Sequence, residues 1–175
     1  DFDGRNDYGQ GAVILGSLAN TSLMAWIDLN SSFSTEGIIL GQNNFHLKVN
    51  SAKKLEVSAN GNVLTSPSSL NTQQWYNVAA VYGGGLLKLY INGSMVASTV
   101  ALGSILPDAT PFTIGKDPST SAKFFKGKID EVRVFNVALT DSQLQKMVYQ
   151  EIQNTSSNVR GTVVPKDIDA ALPFN

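Results

Sequence analysis

The sequence predicts an all-β fold, an antiparallel β-sandwich with one short C-terminal helix. Three observations support this prediction. Short segments in which apolar and polar residues alternate recur along the chain, and turn signals such as Asn60-Gly61 and Asn92-Gly93 separate them. A helical period of apolar residues occurs once, between Leu144 and Ile152. Many short strands with a single helix are typical of Greek-key or jelly-roll sandwiches.

The strands are predicted in order from the two-residue alternation of apolar side chains. In the first half of the chain they cover residues 12–15, 23–29, 37–41, 45–50 and 54–59. In the second half they cover residues 75–82, 86–91, 95–100, 112–115 and 129–136. The segment 75–82 is apolar or aromatic everywhere except at Asn77, which predicts a central strand buried on both faces.

The predicted helix follows Thr140. Thr140 and Gln143, three residues later, form the pattern of a capping box. The apolar residues after them make one stripe, which predicts that the helix packs on the outside of a sheet: Leu144, Met147, Val148 and Ile152.

Composition limits the classes of function. Thirteen basic and fourteen acidic side chains, without a long run of either sign, give no signal for nucleic acid or anionic lipid. The chain has no cysteine, and no apolar run is long enough for insertion into a membrane. We expect one β-sandwich domain over residues 1–153 and an extended tail or interdomain linker over residues 154–175. A start at Asp1 without an initiator Met is expected for a piece of a longer polypeptide with neighbouring domains.

The last predicted strand raises a chemical question. If the strand is regular, Asp130 shares a face with Val132 and Val134. A carboxylate beside core valines must be compensated. A metal ion, a hydrogen bond from an N–H or hydroxyl group, or a salt bridge to Lys128 or Arg5 would each do so.

Four segments of the chain carry a family signature. They are Asp1-Phe2-Asp3-Gly4 with Asp7-Tyr8, Trp75-Tyr76-Asn77-Val78-Ala79, Leu87-Lys88-Leu89-Tyr90-Ile91-Asn92-Gly93, and Phe112-Thr113-Ile114-Gly115 running on to Gly127-Lys128-Ile129-Asp130-Glu131-Val132-Arg133. Together they resemble the laminin G-like branch of the concanavalin A-like lectin and glucanase superfamily, which also holds the pentraxin-like jelly rolls. The resemblance implies two curved antiparallel sheets. It also implies a module that binds glycans, binds proteins, or accompanies a catalytic domain.

The resemblance further implies a structural calcium ion. Several relatives hold this ion with an aspartate of the late strand, helped by oxygens of the N-terminal segment and of a glycine-containing turn. The matching positions here are Asp130, Asp3 and Gly41. Calcium takes carboxylate and carbonyl oxygens as ligands. A double calcium site of the pentraxin type is not expected, because the loop before the late strand offers only Lys116 and Asp117.

An enzyme is not predicted. Glucanases of the superfamily carry two glutamates that flank an aspartate on one strand, and retaining hydrolysis needs two carboxylates about 5 Å apart. The chain lacks that triplet. Asp130 and Glu131 are adjacent, so on a regular strand they point to opposite faces. His46, the only histidine, falls on the polar side of its strand and is interpreted as a solvated surface residue.

We therefore expect a non-catalytic carbohydrate-binding or adhesion module of a secreted or cell-surface protein. A polysaccharide-degrading enzyme is one candidate for the parent protein. The predicted ligand-binding residues lie on two polar loops that would flank one rim: Asn43, Asn44, Lys116 and Asp117.

The alternative is a structural spacer or protein–protein interaction domain with no glycan ligand. The two tryptophans, Trp26 and Trp75, lie in predicted strands and are interpreted as core residues. An exposed aromatic ring beside converging polar groups would favour the carbohydrate-binding module. A flat or filled face would favour the spacer.

Overall fold

The computed structural model describes residues 1–148, which form two packed antiparallel sheets and one helix. The strands are β1 (Phe2–Asp3), β2 (Gly9–Gln10), β3 (Thr21–Leu29), β4 (Gly37–Gln42), β5 (Phe45–Val49), β6 (Lys54–Ala59), β7 (Asn62–Ser69), β8 (Trp75–Gly83), β9 (Leu86–Ile91), β10 (Ser94–Val100), β11 (Thr113–Ile114) and β12 (Lys126–Phe135), and the helix is α1 (Asp141–Val148). Sheet A has the order β1-β12-β3-β8-β9-β10, and sheet B has the order β2-β11-β4-β5-β6-β7. The predicted sandwich with one short helix is confirmed.

The core lies between the two sheets and follows the alternation of the strands. On β3 and β8 the inward residues include Ile27, Val78 and Tyr82, which are fully or almost fully buried. Two-residue turns join β6 to β7 and β9 to β10. Both residues of each turn have positive φ, 49° and 81° at Asn60-Gly61 and 51° and 75° at Asn92-Gly93. The predicted tight turns are confirmed, because type I′ turns require this conformation.

The N-terminal segment is fixed to sheet A by strand pairing and by an aromatic contact. In β1, Phe2 pairs with Gly127 of β12. The Phe2 ring packs edge-to-face on the fully buried Phe125, with 6.4 Å between the ring centroids. The first residues of the chain therefore lie beside the end of sheet A where β12 begins.

Helix α1 covers half of the outer face of sheet A. The capping box is confirmed, because the Gln143 amide N–H donates to the Thr140 hydroxyl at 3.3 Å and the Thr140 N–H donates to the Gln143 side chain at 2.9 Å. The helix and the segment before it bury an apolar cluster with outward residues of the sheet: Met24, Ala79, Val81, Tyr90, Leu139, Leu144, Met147 and Val148. Ile152 and the expected boundary between residues 153 and 154 lie outside the described residues.

A β-bulge in β12 corrects the predicted orientation of Asp130. Asp130 pairs with Trp26 of β3, but the next paired residue, Arg133, lies opposite Met24, so β12 contains one extra residue there. Glu131 takes up the extra residue with φ 46°. An extra residue reverses the alternation. Asp130 therefore points outward and is exposed, while Val132 packs on the core.

A row of alternating charges crosses the outer face of sheet B. Lys48 bridges Glu56 at 2.8 Å and Glu36 at 3.1 Å, and Lys123 contacts Glu36 at 3.4 Å and Asp117 at 3.6 Å. Burial raises the pKa of Glu56, but the hydrogen bond and charge of Lys48 outweigh burial and hold that pKa below its usual value. Burial lowers the pKa of Lys48, but its hydrogen bonds to Glu56 and Glu36 and their charges outweigh burial and raise that pKa. Each buried charge of this face thus has a partner.

Replacing Lys48 with Met leaves the Glu56 carboxylate without its ion pair. We expect Lys48→Met to lower the free energy of unfolding at pH 7 by about 1–3 kcal/mol. Because the folded pKa of Glu56 is lowered from 4.5, the stabilisation is present above about pH 4.5 and is lost as the pH falls through the folded pKa. The difference between the variant and the parent should therefore shrink at pH 3. Urea denaturation at both pH values measures it.

Lys88→Met is the matched control, since Lys88 lies on sheet A, outside this row of charges. The role of the ion pair would be contradicted if Lys48→Met lowered the free energy of unfolding equally at pH 7 and pH 3. It would also be contradicted if Lys88→Met lowered that free energy by the same amount.

Candidate functional site

The two loops that carry the predicted ligand-binding residues meet at one rim of sheet B. Asn43 lies in the turn between β4 and β5, and its side-chain oxygen accepts a hydrogen bond from the Ser119 hydroxyl at 2.9 Å. The Nδ1 atom of His46 lies 3.2 Å from the Asn43 carbonyl oxygen. His46 is half-buried, so its interpretation as a solvated surface residue is wrong. This burial lowers the pKa of the His46 ring.

The polar groups of this rim contact one another and neighbouring segments of the chain. The Asp117 Oδ1 atom accepts hydrogen bonds from the Ser119 and Thr120 N–H groups at 2.9 and 3.0 Å. The side-chain amide of Asn44 donates to the Leu106 carbonyl at 3.0 Å. The Lys116 ammonium lies 4.1 Å from the centroid of the Tyr8 ring. These contacts stabilise the loops, and ligand binding by Asn43, Asn44, Lys116 and Asp117 stays a prediction.

Asp3 and Asp130, two of the three residues expected to share a calcium ion, lie apart. Asp3 pairs with Lys126, four residues before Asp130 on β12, which is about 13 Å along a strand. The Asp3 carboxylate accepts the Arg5 N–H at 2.7 Å, and this hydrogen bond is the main cause of its lowered pKa. Gly41 belongs to sheet B, where a Cβ atom would lie 2.4 Å from the Phe45 carbonyl oxygen. The glycine is thus required for close strand approach. Within residues 1–148, no group of three or more His, Asp or Glu side chains is placed to hold a metal ion.

A second part of the outer face of sheet A lies beyond the apolar cluster that α1 covers, and of its residues Asn77 is buried. Its outward residues are Trp26, Asp28, Trp75, Asn77, Lys128 and Asp130. We call this surface the uncovered face. The register pairs Asp28 with Trp75 and Trp26 with Asn77, so directly opposite side chains have Cβ atoms about 4.5–5.5 Å apart.

The two tryptophans of the uncovered face have different environments. Trp26 points outward and is half-buried against the apolar cluster beneath α1, so it lies outside the core between the two sheets. Trp75 is 41% exposed, whereas the residues after it on β8 are buried up to Tyr82. The interpretation of Trp75 as a core residue is wrong, because it is the first residue of β8 and nothing within the described part of the chain covers it fully.

A cleft of about 500 Å³ opens beside Asp28, and neither tryptophan is among the residues that line it. Its walls come from the end of β3, the N-terminal segment, the start of β12 and the loop before β8. The polar residues that line it include Asp7, Asp28, Asn30, Ser31, Gln73 and Lys128. We call it the Asp28 cleft.

Two polar atoms on the uncovered face are buried and have no hydrogen-bond partner within residues 1–148. They are the Oδ1 atom of Asp28, a residue that lines the Asp28 cleft, and the Nδ2 atom of Asn77, a residue that is 2% exposed. Such atoms are uncommon because a buried polar group without a partner is costly. Sequence reasoning missed Asp28 as a site residue. The signal for it was a carboxylate at an outward position of a central strand.

The geometry of the uncovered face suits a small polar ligand with an apolar face. An exposed indole offers a flat platform, and the carboxylate opposite offers a hydrogen-bond acceptor. Clefts of roughly 300–1,000 Å³ with a few placed polar groups are typical of ligand sites.

No helix within residues 1–148 is long and apolar enough to cross a membrane.

Solved structures with the same fold include several glycan-associated proteins. A Bacteroides ovatus protein assigned as carbohydrate binding is 26% identical, with a TM-score of 0.71 over 80% of this chain and 44% of that chain. The CBM40 module of the Ruminococcus gnavus IT-sialidase, solved with α2,3-sialyllactose, is 17% identical, with a TM-score of 0.64 over 83% of this chain and 99% of that chain. The heptameric SAP-like pentraxin of Limulus polyphemus is 20% identical, with a TM-score of 0.67 over 84% of this chain and 79% of that chain.

One curated relative is an adhesion protein. The adhesion G-protein coupled receptor V1 of Danio rerio is 28% identical over 90 residues, which are 50% of this chain. This chain spans 1% of that receptor and 44% of the Bacteroides ovatus protein. A Trypanosoma rangeli sialidase also matches, at 16% identity and a TM-score of 0.64, over 26% of its length.

The family model Laminin_G_3 matches residues 3–145, which include both sheets and most of α1. The chain therefore belongs to the Laminin_G_3 family, in the concanavalin A-like lectin/glucanases superfamily.

Proposed function

We propose that this chain is a non-catalytic glycan-binding module of an extracellular protein, and that the glycan binds over Trp75 beside the Asp28 cleft. The exposure of Trp75 carries the proposal. A large apolar ring that is 41% exposed lies directly opposite a carboxylate whose Oδ1 atom is buried without a partner. One face of a sugar ring can stack on the indole while its hydroxyl groups donate to the carboxylate.

The comparisons support the class of function. The Bacteroides ovatus protein is assigned as carbohydrate binding, and the CBM40 module was solved with a bound sialylated sugar. The receptor relative supports an extracellular, adhesive setting. The CBM40 ligand is not transferred to this chain, because 17% identity supports the fold and not the contacts of the site.

A catalytic role has less support from the residues. The Glu131 carboxylate contacts the Arg133 guanidinium at 2.6 Å, so it is held in an ion pair. The adjacent Asp130 accepts a hydrogen bond from the Glu131 N–H at 2.8 Å. Glycoside hydrolysis requires two carboxylates that act on one sugar, and the Glu131 carboxylate is engaged by Arg133.

The test of the proposed function is a glycan array followed by calorimetry on the tightest ligand. Trp75→Ala removes the platform, and we expect it to weaken binding by about tenfold or more, because an aromatic stacking contact is worth about 1 kcal/mol beyond its buried area. The midpoint of thermal unfolding should stay within a few degrees of the parent's, since the ring is exposed.

Leu102→Ala is the control, because Leu102 is also a large exposed apolar residue, at 78%, but lies beyond β10 on another surface. Equal affinity of Trp75→Ala and the parent would contradict the site. An array without any bound glycan would contradict glycan binding and favour the spacer or protein-contact alternative.

Structural calcium remains a separate prediction from the family resemblance. An ion that binds only the folded chain raises the midpoint of thermal unfolding. We expect the midpoint to fall when a chelator is added. An unchanged midpoint, together with no metal in elemental analysis, would contradict calcium binding.

A further inference from the structure

The charged groups that line the Asp28 cleft limit the class of sugar that would fit it. Besides Asp28, the cleft is lined by Asp1, Asp3 and Asp7, each with a carboxylate, and by Lys128. The positive groups are the ammonium of Lys128 and the amino group of Asp1. The Asp7 carboxylate accepts the Asp3 N–H at 2.9 Å, and the Asp3 carboxylate accepts the Arg5 N–H. The hydrogen bond from the Arg5 N–H is the main cause of the lowered pKa of Asp3. The walls of the cleft are thus mainly negative.

Asp28 sets the chemical requirement for a ligand. Its Oδ1 atom is buried and has no donor within the described part of the chain. A carboxylate oxygen accepts hydrogen bonds and cannot donate them. A ligand group that contacts the accessible part of this carboxylate must therefore be a donor, such as a sugar hydroxyl. A carboxylate or sulfate in the same place would add a second unpaired negative charge, which is unfavourable where burial weakens the screening by water.

The other polar groups around the cleft are also suited to hydroxyl groups. Asn30, Ser31 and Gln73 carry amide or hydroxyl groups that both donate and accept. Lys128 pairs with Asp28 across β12 and β3, but its side chain is exposed to solvent, where salt screens its charge. A cleft of about 500 Å³ has room for roughly one or two sugar units.

We propose that the Asp28 cleft binds a neutral sugar through its hydroxyl groups and discriminates against sugars that carry a carboxylate or sulfate, with Asp28 as the residue that determines this specificity. The proposal rests on the proposed glycan-binding function. It names the ligand class of that site.

The test compares matched neutral and acidic oligosaccharides by calorimetry. The pairs are lactose with α2,3-sialyllactose, and galactotriose with trigalacturonic acid, together with whichever array ligand binds most tightly. We expect the neutral member of each binding pair to bind at least about tenfold more tightly in low salt. The ratio should fall as salt is added, because screening weakens the repulsion.

Asp28→Asn keeps the size of the side chain and removes its charge. We expect this variant to weaken binding of the neutral sugar about tenfold to a hundredfold, because hydrogen bonds to charged groups are stronger than those to neutral groups. We also expect it to lower the ratio of the affinities for the neutral and the acidic sugar. Asp28→Ser is the second variant if Asp28→Asn does not fold. Asp130→Asn is the control, because Asp130 is an exposed aspartate of the same face outside the cleft lining.

Distinct outcomes separate this inference from the proposed function. Acidic sugars that bind as tightly as neutral ones, or discrimination that Asp28→Asn leaves unchanged, overturn the inference while glycan binding stands. Loss of all oligosaccharide binding in the parent chain overturns both. Calcium chloride alone is the last probe: calcium binding that Asp28→Asn abolishes, without sugar binding at the cleft, makes this a cation site and overturns the proposal.

Discussion

The register between β3 and β8 is the constraint on which the candidate site depends. Ile27 and Tyr76 face the core, so Asp28 and Trp75 must face outward and must lie opposite each other. A slip of one residue would carry the carboxylate into the core and the apolar side chains into water, which costs far more than any contact on the outer face could return. The packing of the core therefore fixes the geometry of the uncovered face.

The bulge in β12 shows why sequence alternation alone gave the wrong environment for Asp130. Alternation assumes that successive residues of a strand point to opposite faces. Glu131 is an extra residue at the bulge and has positive φ. Because it is not a glycine, nothing in the sequence signalled the bulge. The expected burial of Asp130 disappears once that extra residue is counted. The N-terminal segment is held by the pairing of β1 with β12 and by the contact of Phe2 with Phe125, without help from Asp130.

The fold could be predicted from the sequence because its signals are local. The Asn-Gly turns and the Thr140 cap each depend on a few neighbouring residues, and the alternation of β3 depends on nine. The site could not be predicted in the same way, because the exposure of Trp75 depends on where α1 stops covering sheet A. The two polar loops were placed correctly at one rim. The contact between Asn43 and Ser119 that joins them is a long-range feature.

Two polar surfaces thus compete as the ligand site, the uncovered face of sheet A and the rim that includes Asn43 and Asn44. A two-dimensional ¹H–¹⁵N NMR titration of the chain with the tightest neutral oligosaccharide separates them most directly. Our account predicts that the indole N–H signal of Trp75, assigned with a Trp75→Phe variant, shifts progressively with added sugar, while the side-chain amide signals of Asn43 and Asn44 stay in place. Shifts of those amide signals with an unmoved Trp75 indole would contradict it.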